Sequence, residues 1–175
     1  MALYTELGMA ILLIGALLIV NGLWLLDKGN DRDTAMLNLF VGVLAFLMAF
    51  WWAFGGDASS GDAFSATGTF LFAFTYLWVG VNAYQGRDDQ RSLGWYCILV
   101  TAFTLPTGYL SIQSGDLGLG ILWWTWGSLW ATFWVLLGLE RTEYTSPIAW
   151  FTMAVGAITA VAGYSMAIGV WPWLP

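Results

Sequence analysis

Histidine is absent from this 175-residue chain, cysteine occurs once, and lysine and arginine together number five. Each shortage removes a class of function. Without imidazole, haem and copper sites and His-ligated zinc centres lose their usual ligands. The single cysteine, Cys97, makes neither a disulfide framework nor a thiolate metal cluster. Five bases against eleven acids leave no basic patch for nucleic acid, and the acid excess reads as loop solubility. Charge of either sign is scarce at 9%, while 59% of residues are hydrophobic and mean hydropathy is +0.73, outside the range of a soluble domain of this length. That balance specifies a membrane protein.

The few charges are confined to short stretches. "DKGNDRD" (27–33), "GRDDQR" (86–91) and "ERTEY" (140–144) hold both signs, whereas "GGDASSGDAF" (55–64) and "SGDLG" (114–118) hold acids alone. These five breaks delimit six apolar segments, at 4–26, 34–54, 67–85, 92–113, 118–139 and 147–171. Each is close to the ~20 residues that cross a hydrocarbon core as a helix. Barrel strands would alternate in polarity and be about half as long. The expected fold is therefore all-α: a polytopic membrane protein, one domain over residues 1–175, with a bundle of six transmembrane helices. Lys28, Arg32, Arg87, Arg91 and Arg141 all lie in the first, third and fifth breaks. Basic residues are retained on the cytoplasmic side, so both termini are expected outside. The opening "MALYTELGMAILLIG" has no basic n-region and no small-residue cleavage site, and reads as a retained first helix.

Ionisable side chains inside a bilayer mark proton relays, ion paths and cofactor anchors. None falls in the core of any segment; Glu6 sits at the outer end of the first. A retinal would find no buried lysine, and a serine hydrolase would need a base where none is buried. The glycine-rich "GGDASSG" is an outer loop rather than a phosphate cradle. No catalytic role, cofactor or metal is expected. Passive passage of a neutral solute, or an assembly role, remains.

Polar and aromatic residues fall in stripes. In the first segment Leu7, Ile11, Ile14, Leu18 and Asn21 recur at helical spacing, and beside them Gly8, Gly15 and Gly22 form a seven-residue repeat. Glycines on one face read as close helix packing in lipid. Asn21, an amide in an apolar helix, reads equally as a structural cap or as pore lining. In the third segment Phe74, Trp78, Val81 and Asn82 fall along one face. The fifth carries "LWWTWGSLW" (122–130), in which Trp123, Trp126 and Trp130 are spaced i, i+3, i+7 while Trp124 points elsewhere. Trp51, Trp52, Trp171 and Trp173 suit an aromatic belt at helix ends. Trp126 and Trp130 lie too deep for one, which leaves interior packing or a passage for a flat solute.

Taken together, "FLFAFTYLWVGVN" (70–82), the proline-bearing "GWYCILVTAFTLPTGYLS" (94–111), "WWTWGSLW" (123–130) and "LLIVNGLWLL" (17–26) resemble the AmiS/UreI family of urea and short-chain amide channels. The resemblance implies six transmembrane helices per protomer, a homohexameric ring, and one solute pathway in each protomer. It implies a lining of Leu7, Ile11, Ile14, Leu18 and Asn21, with Phe74 and Trp78, and with Trp123, Trp126, Leu129 and Trp130. Trp78 stands where the family's acid-gated urea channel has tyrosine, Val155 where it has a buried glutamate, and no histidine-rich outer loop is present. The implied function is passive passage of urea or a short aliphatic amide across the inner membrane, without acid gating. A pore for water or another small neutral solute and a non-transporting scaffold subunit are the competing readings. In such a lining, flat indole faces slide along planar amides while an indole N–H or the Asn21 amide meets the carbonyl oxygen. Glu6, Asp57, Asp62 and Asp116 are expected as exposed outer acids.

Overall fold

A computed structural model of the chain describes residues 2–55 and 60–173. Among them are six long helices: α1 (Ala2–Leu25), α2 (Asp31–Phe54), α3 (Ser60–Gln85), α4 (Arg91–Gln113), α5 (Leu117–Phe133) and α6 (Thr145–Ala167). A π-helical turn, Trp134–Gly138, prolongs α5, and a short 3-10 turn, Thr142–Tyr144, leads into α6. Five helices are long and apolar enough to cross a membrane. The sixth, α5, has 17 residues and is continued by the five residues of the π turn.

Local chemistry explains the ends. Asn30 caps α2 by accepting from the Asp33 amide at 2.8 Å, and Asp31 and Asp33 place negative charge against the positive end of the helix dipole. Gly86 adopts φ +62 to close α3, which lets the Arg87 amide reach back to the Asn82 carbonyl at 3.0 Å. The last helix is shorter than its apolar run predicts. It stops at Ala167 rather than 171 because Gly169, at φ +75, turns the chain and the Val170 amide closes on the Ser165 carbonyl at 2.9 Å. At its other end α3 begins at Ser60, seven residues before the expected start, so that part of the "GGDASSGDAF" stretch is helical. The expected outer acid Asp57 lies outside the described residues, as does the side chain of Asp62.

The helices form two compact units. One comprises Asn30–Asp88, where α2 packs on α3 and the rings of Phe46, Phe70 and Phe74 cluster with centroids 5.5 to 6.1 Å apart. The other comprises Met1–Gly29 with Asp89–Pro175. Within it α6 packs against both α1 and α5, and α4 packs against α5 and the π turn.

The α1–α6 contact is a seam of small residues in antiparallel register: Gly8 meets Gly163, Gly15 meets Gly156, and Gly22 meets Ala149. A methyl group at Gly8 would lie 2.8 Å from the Gly163 carbonyl oxygen, and one at Gly15 would lie 2.7 Å from that of Gly156. Real side chains do not approach so closely. The seven-residue glycine repeat therefore serves backbone approach, as its spacing predicts.

Candidate functional site

The tryptophan segment divides its faces between two neighbours. Residues 120, 124 and 127 of α5 turn toward α4. Gly127 abuts Thr104, the Gly127 carbonyl accepts from Thr101 Oγ1 at 3.1 Å, and Trp124 Nε1 donates to the Leu105 carbonyl at 3.2 Å. Trp124 is thereby set apart from the stripe, and 42% of its surface stays exposed. The rest of the stripe, Trp123, Trp126, Leu129 and Trp130, is buried. Trp123 and Trp126 meet edge to face, with centroids 5.2 Å apart at 85°, the arrangement that the ring quadrupoles favour.

Trp126 is anchored across helices. Its Nε1 donates to Thr159 Oγ1 on α6 at 3.0 Å, with both residues buried. The expectation that stripe indoles offer their N–H groups to a solute carbonyl needs amending here, because an indole has one donor and this one is engaged by protein. Sequence reasoning missed Thr159. Its signal was a lone hydroxyl in the small-residue run "AVGAITA", which periodicity in α5 could not connect to Trp126.

On α1, Ile11, Ile14, Leu18 and Asn21 are buried and Leu7 is half-buried. Ile11 and Leu18 lie along the glycine seam with α6. On α3, Trp78 is half-buried, whereas Phe74 is 45% exposed in the single chain and stacks on Phe70 at 5.7 Å. Val81 is exposed while Asn82 is buried, so the predicted α3 face is split.

Two expectations are overturned where the turn after α4 leads into α5. Asp116, expected exposed, is 1% exposed and is the single buried charged side chain among the described residues. Trp171, expected in an interfacial belt, is buried against it. Asp116 caps α5 by accepting from the Leu119 amide at 2.8 Å, and its two oxygens accept from Trp171 Nε1 at 3.2 and 3.1 Å. The tail after α6 folds back so that the Trp171 and Trp173 rings cover Gly118, where only hydrogen leaves room for them. A carboxylate buried in apolar surroundings needs such donors. Trp52, also expected in the belt, is buried, while Trp51 is 70% exposed.

The other charged side chains among the described residues are exposed. Arg91 forms a bidentate pair with Asp89, Nε to Oδ1 at 3.0 Å and Nη2 to Oδ2 at 2.7 Å, and the Arg91 amide also donates to Oδ1 at 3.1 Å. These bonds hold the exposed Asp89 carboxyl down at about 2. At the opposite end of α5, Trp134 Nε1 is buried without a partner among the described residues. A groove of about 310 Å³ lined by Thr132, Val135, Tyr144, Pro147, Ile148 and Phe151 opens there; none of the eleven expected lining residues borders it.

What the larger unit offers a solute is thus a set of apolar and indole surfaces on α1 and α5, fixed against α6, with no charged side chain among them.

Comparison with known proteins agrees with that chemistry. The AmiS/UreI family transporter model matches residues 7–169. A Mycolicibacterium smegmatis protein, provisionally described as a transporter of amidate substrates, is 33% identical over 94% of this chain and 78% of its own length. The acid-activated urea channel of Helicobacter pylori is 31% identical over 88% of this chain and 93% of its own. The crystal structure of the urea channel from that organism superimposes with a TM-score of 0.80 at 27% identity, covering 94% of this chain and 99% of the channel. Fold, apolar helices and sequence converge: this chain is a membrane protein that belongs to the AmiS/UreI family of transporters.

Proposed function

We propose that the chain is a passive channel for urea or a short-chain aliphatic amide, acting as one domain per protomer of a homohexamer in the inner membrane with both termini outside. The observation that carries this reading is the uncharged indole and aliphatic stripe on α1 and α5, buried although other apolar residues of these helices are exposed in the single chain. The names of its relatives, an amidate-substrate transporter and a urea channel, support the solute class. The proposed lining comprises Leu7, Ile11, Ile14, Leu18 and Asn21 of α1, Phe74 and Trp78 of α3, and Trp123, Trp126, Leu129 and Trp130 of α5. Planar uncharged solutes lose little on entering such a slot, because ring faces match their planes and weak contacts release them quickly. A hydrated ion would lose its water with no compensating ligand. The orientation rests on the five bases, which all fall in connections on one side.

Stopped-flow measurements on proteoliposomes in a urea or acetamide gradient test this. After the initial shrinkage, vesicles with the protein should reswell faster than empty ones. Indistinguishable reswelling for every small amide would overturn the proposal.

A further inference from the structure

We infer that Thr159 is a positioning residue that sets the selectivity of the slot by holding the Trp126 ring; the inference rests on the channel reading above. Three constraints meet at this indole. The Thr159 hydroxyl accepts from Nε1 at 3.0 Å, the Trp123 ring meets it edge to face at 5.2 Å, and 2% of its surface is exposed. A tryptophan side chain has two rotatable bonds, so an in-plane hydrogen bond on one side and an orthogonal ring on the other leave it a single orientation. The two partners come from different helices, 33 residues apart, so the orientation is set by the α5–α6 contact rather than by the rotamer preference of α5.

The consequence for a solute follows from the donor inventory. With its one N–H engaged, Trp126 offers a π surface and no donor. That surface accepts weak contacts from amide N–H groups without gripping the carbonyl oxygen. Remove the hydroxyl, and the indole N–H loses the acceptor on α6 that fixes it. The carbonyl oxygen of urea or acetamide, or a water, then becomes its partner. Passage of the amide slows, and the ratio of amide to water permeability changes.

The test uses reconstituted full-length protein and measures urea, acetamide and water permeability side by side. Thr159→Val keeps the branched shape and loses the acceptor; Thr159→Ser keeps the acceptor and loses a methyl group. The amide-to-water ratio should move about three- to tenfold in Thr159→Val, the range that one neutral hydrogen bond commands, and return to the wild-type value in Thr159→Ser. Trp126→Phe, which has no donor, should make Thr159→Val silent when the two are combined. A merely structural role would lower the amount of folded protein without moving the ratio, and would not be silenced by the phenylalanine. If Thr159→Val does not fold, Thr159→Ala, which also removes the acceptor, takes its place: an amide-to-water ratio equal to that of wild type overturns the inference. Wild-type vesicles without amide permeability would overturn the channel reading, whereas a permeable wild type with an unchanged Thr159→Val ratio overturns only the role of Thr159.

Discussion

Individual side chains here are judged by what their polar atoms touch, since apolar bulk is everywhere. Trp126 and Trp130 are both buried, 2% and 5% exposed, yet only for Trp126 is the indole hydrogen bond traced to a named hydroxyl on α6. Truncating either ring to alanine leaves a cavity that the neighbouring helices cannot fill, at a cost of ~3 kcal/mol or more. Both variants should unfold at lower temperature in detergent and, once reconstituted, should show altered amide flux and a changed amide-to-water ratio. A folded variant with wild-type flux and ratio would reduce that ring to packing. The stripe itself was legible from spacing, because residues at i, i+3 and i+7 share a face whatever the surroundings. Thr159 was not, because nothing in α5 specifies which helix comes to lie against it.

At the scale of elements, the helix ends carry the specificity that the helix middles lack. Asp116 joins three pieces of chain: the turn after α4, the first turn of α5 and the tail after α6. Replacing it with alanine removes a cap, worth ~1 kcal/mol, and leaves the Trp171 N–H buried without an acceptor, worth roughly 1–3 kcal/mol more. Thermal unfolding of Asp116→Ala should therefore show a larger loss than Asp116→Asn, which keeps a side-chain oxygen to accept from the Leu119 amide and from Trp171. Equal losses would mean that these acceptors contribute nothing. The cap was visible in "SGDLG", an acid directly before an apolar run, but its burial was not. The acid is covered by a tail that the hydropathy pattern assigned to the last helix, and the turn at Gly169 makes the difference.

For the whole molecule the question is how permeability responds to acid. Between pH 5 and 8 histidine is the one side chain that titrates unperturbed, and the chain has none. The perturbed exposed acid is Asp89, lowered to about 2 by its hydrogen bonds to Arg91. Its sign is that of a depressed carboxyl: the pairing is fully present above the ordinary value of ~3.9 and is lost only as pH falls through the lowered one. Nothing in that pair changes in the tested window. Urea flux into proteoliposomes should be the same at pH 5 and pH 7.5, in contrast to the relative named as acid-activated. A reversible several-fold difference would overturn the ungated reading.

By itself the sequence determined that the chain lies in a membrane, that it crosses as helices, and that each apolar segment has the faces it has. These are local properties, fixed by composition and by the 3.6-residue period. Tertiary structure alone decided which faces meet. In lipid a leucine turned toward the bilayer and one turned toward a neighbouring helix see similar surroundings, so hydropathy cannot distinguish them. Small residues gave partial guidance, and the glycine repeat of α1 did find Gly156 and Gly163. The polar contacts gave none: Trp126 with Thr159 and Asp116 with Trp171 are 33 and 55 residues apart. Hydrogen bonds that span such distances are made by the packing of helices, and they exist only once that packing does.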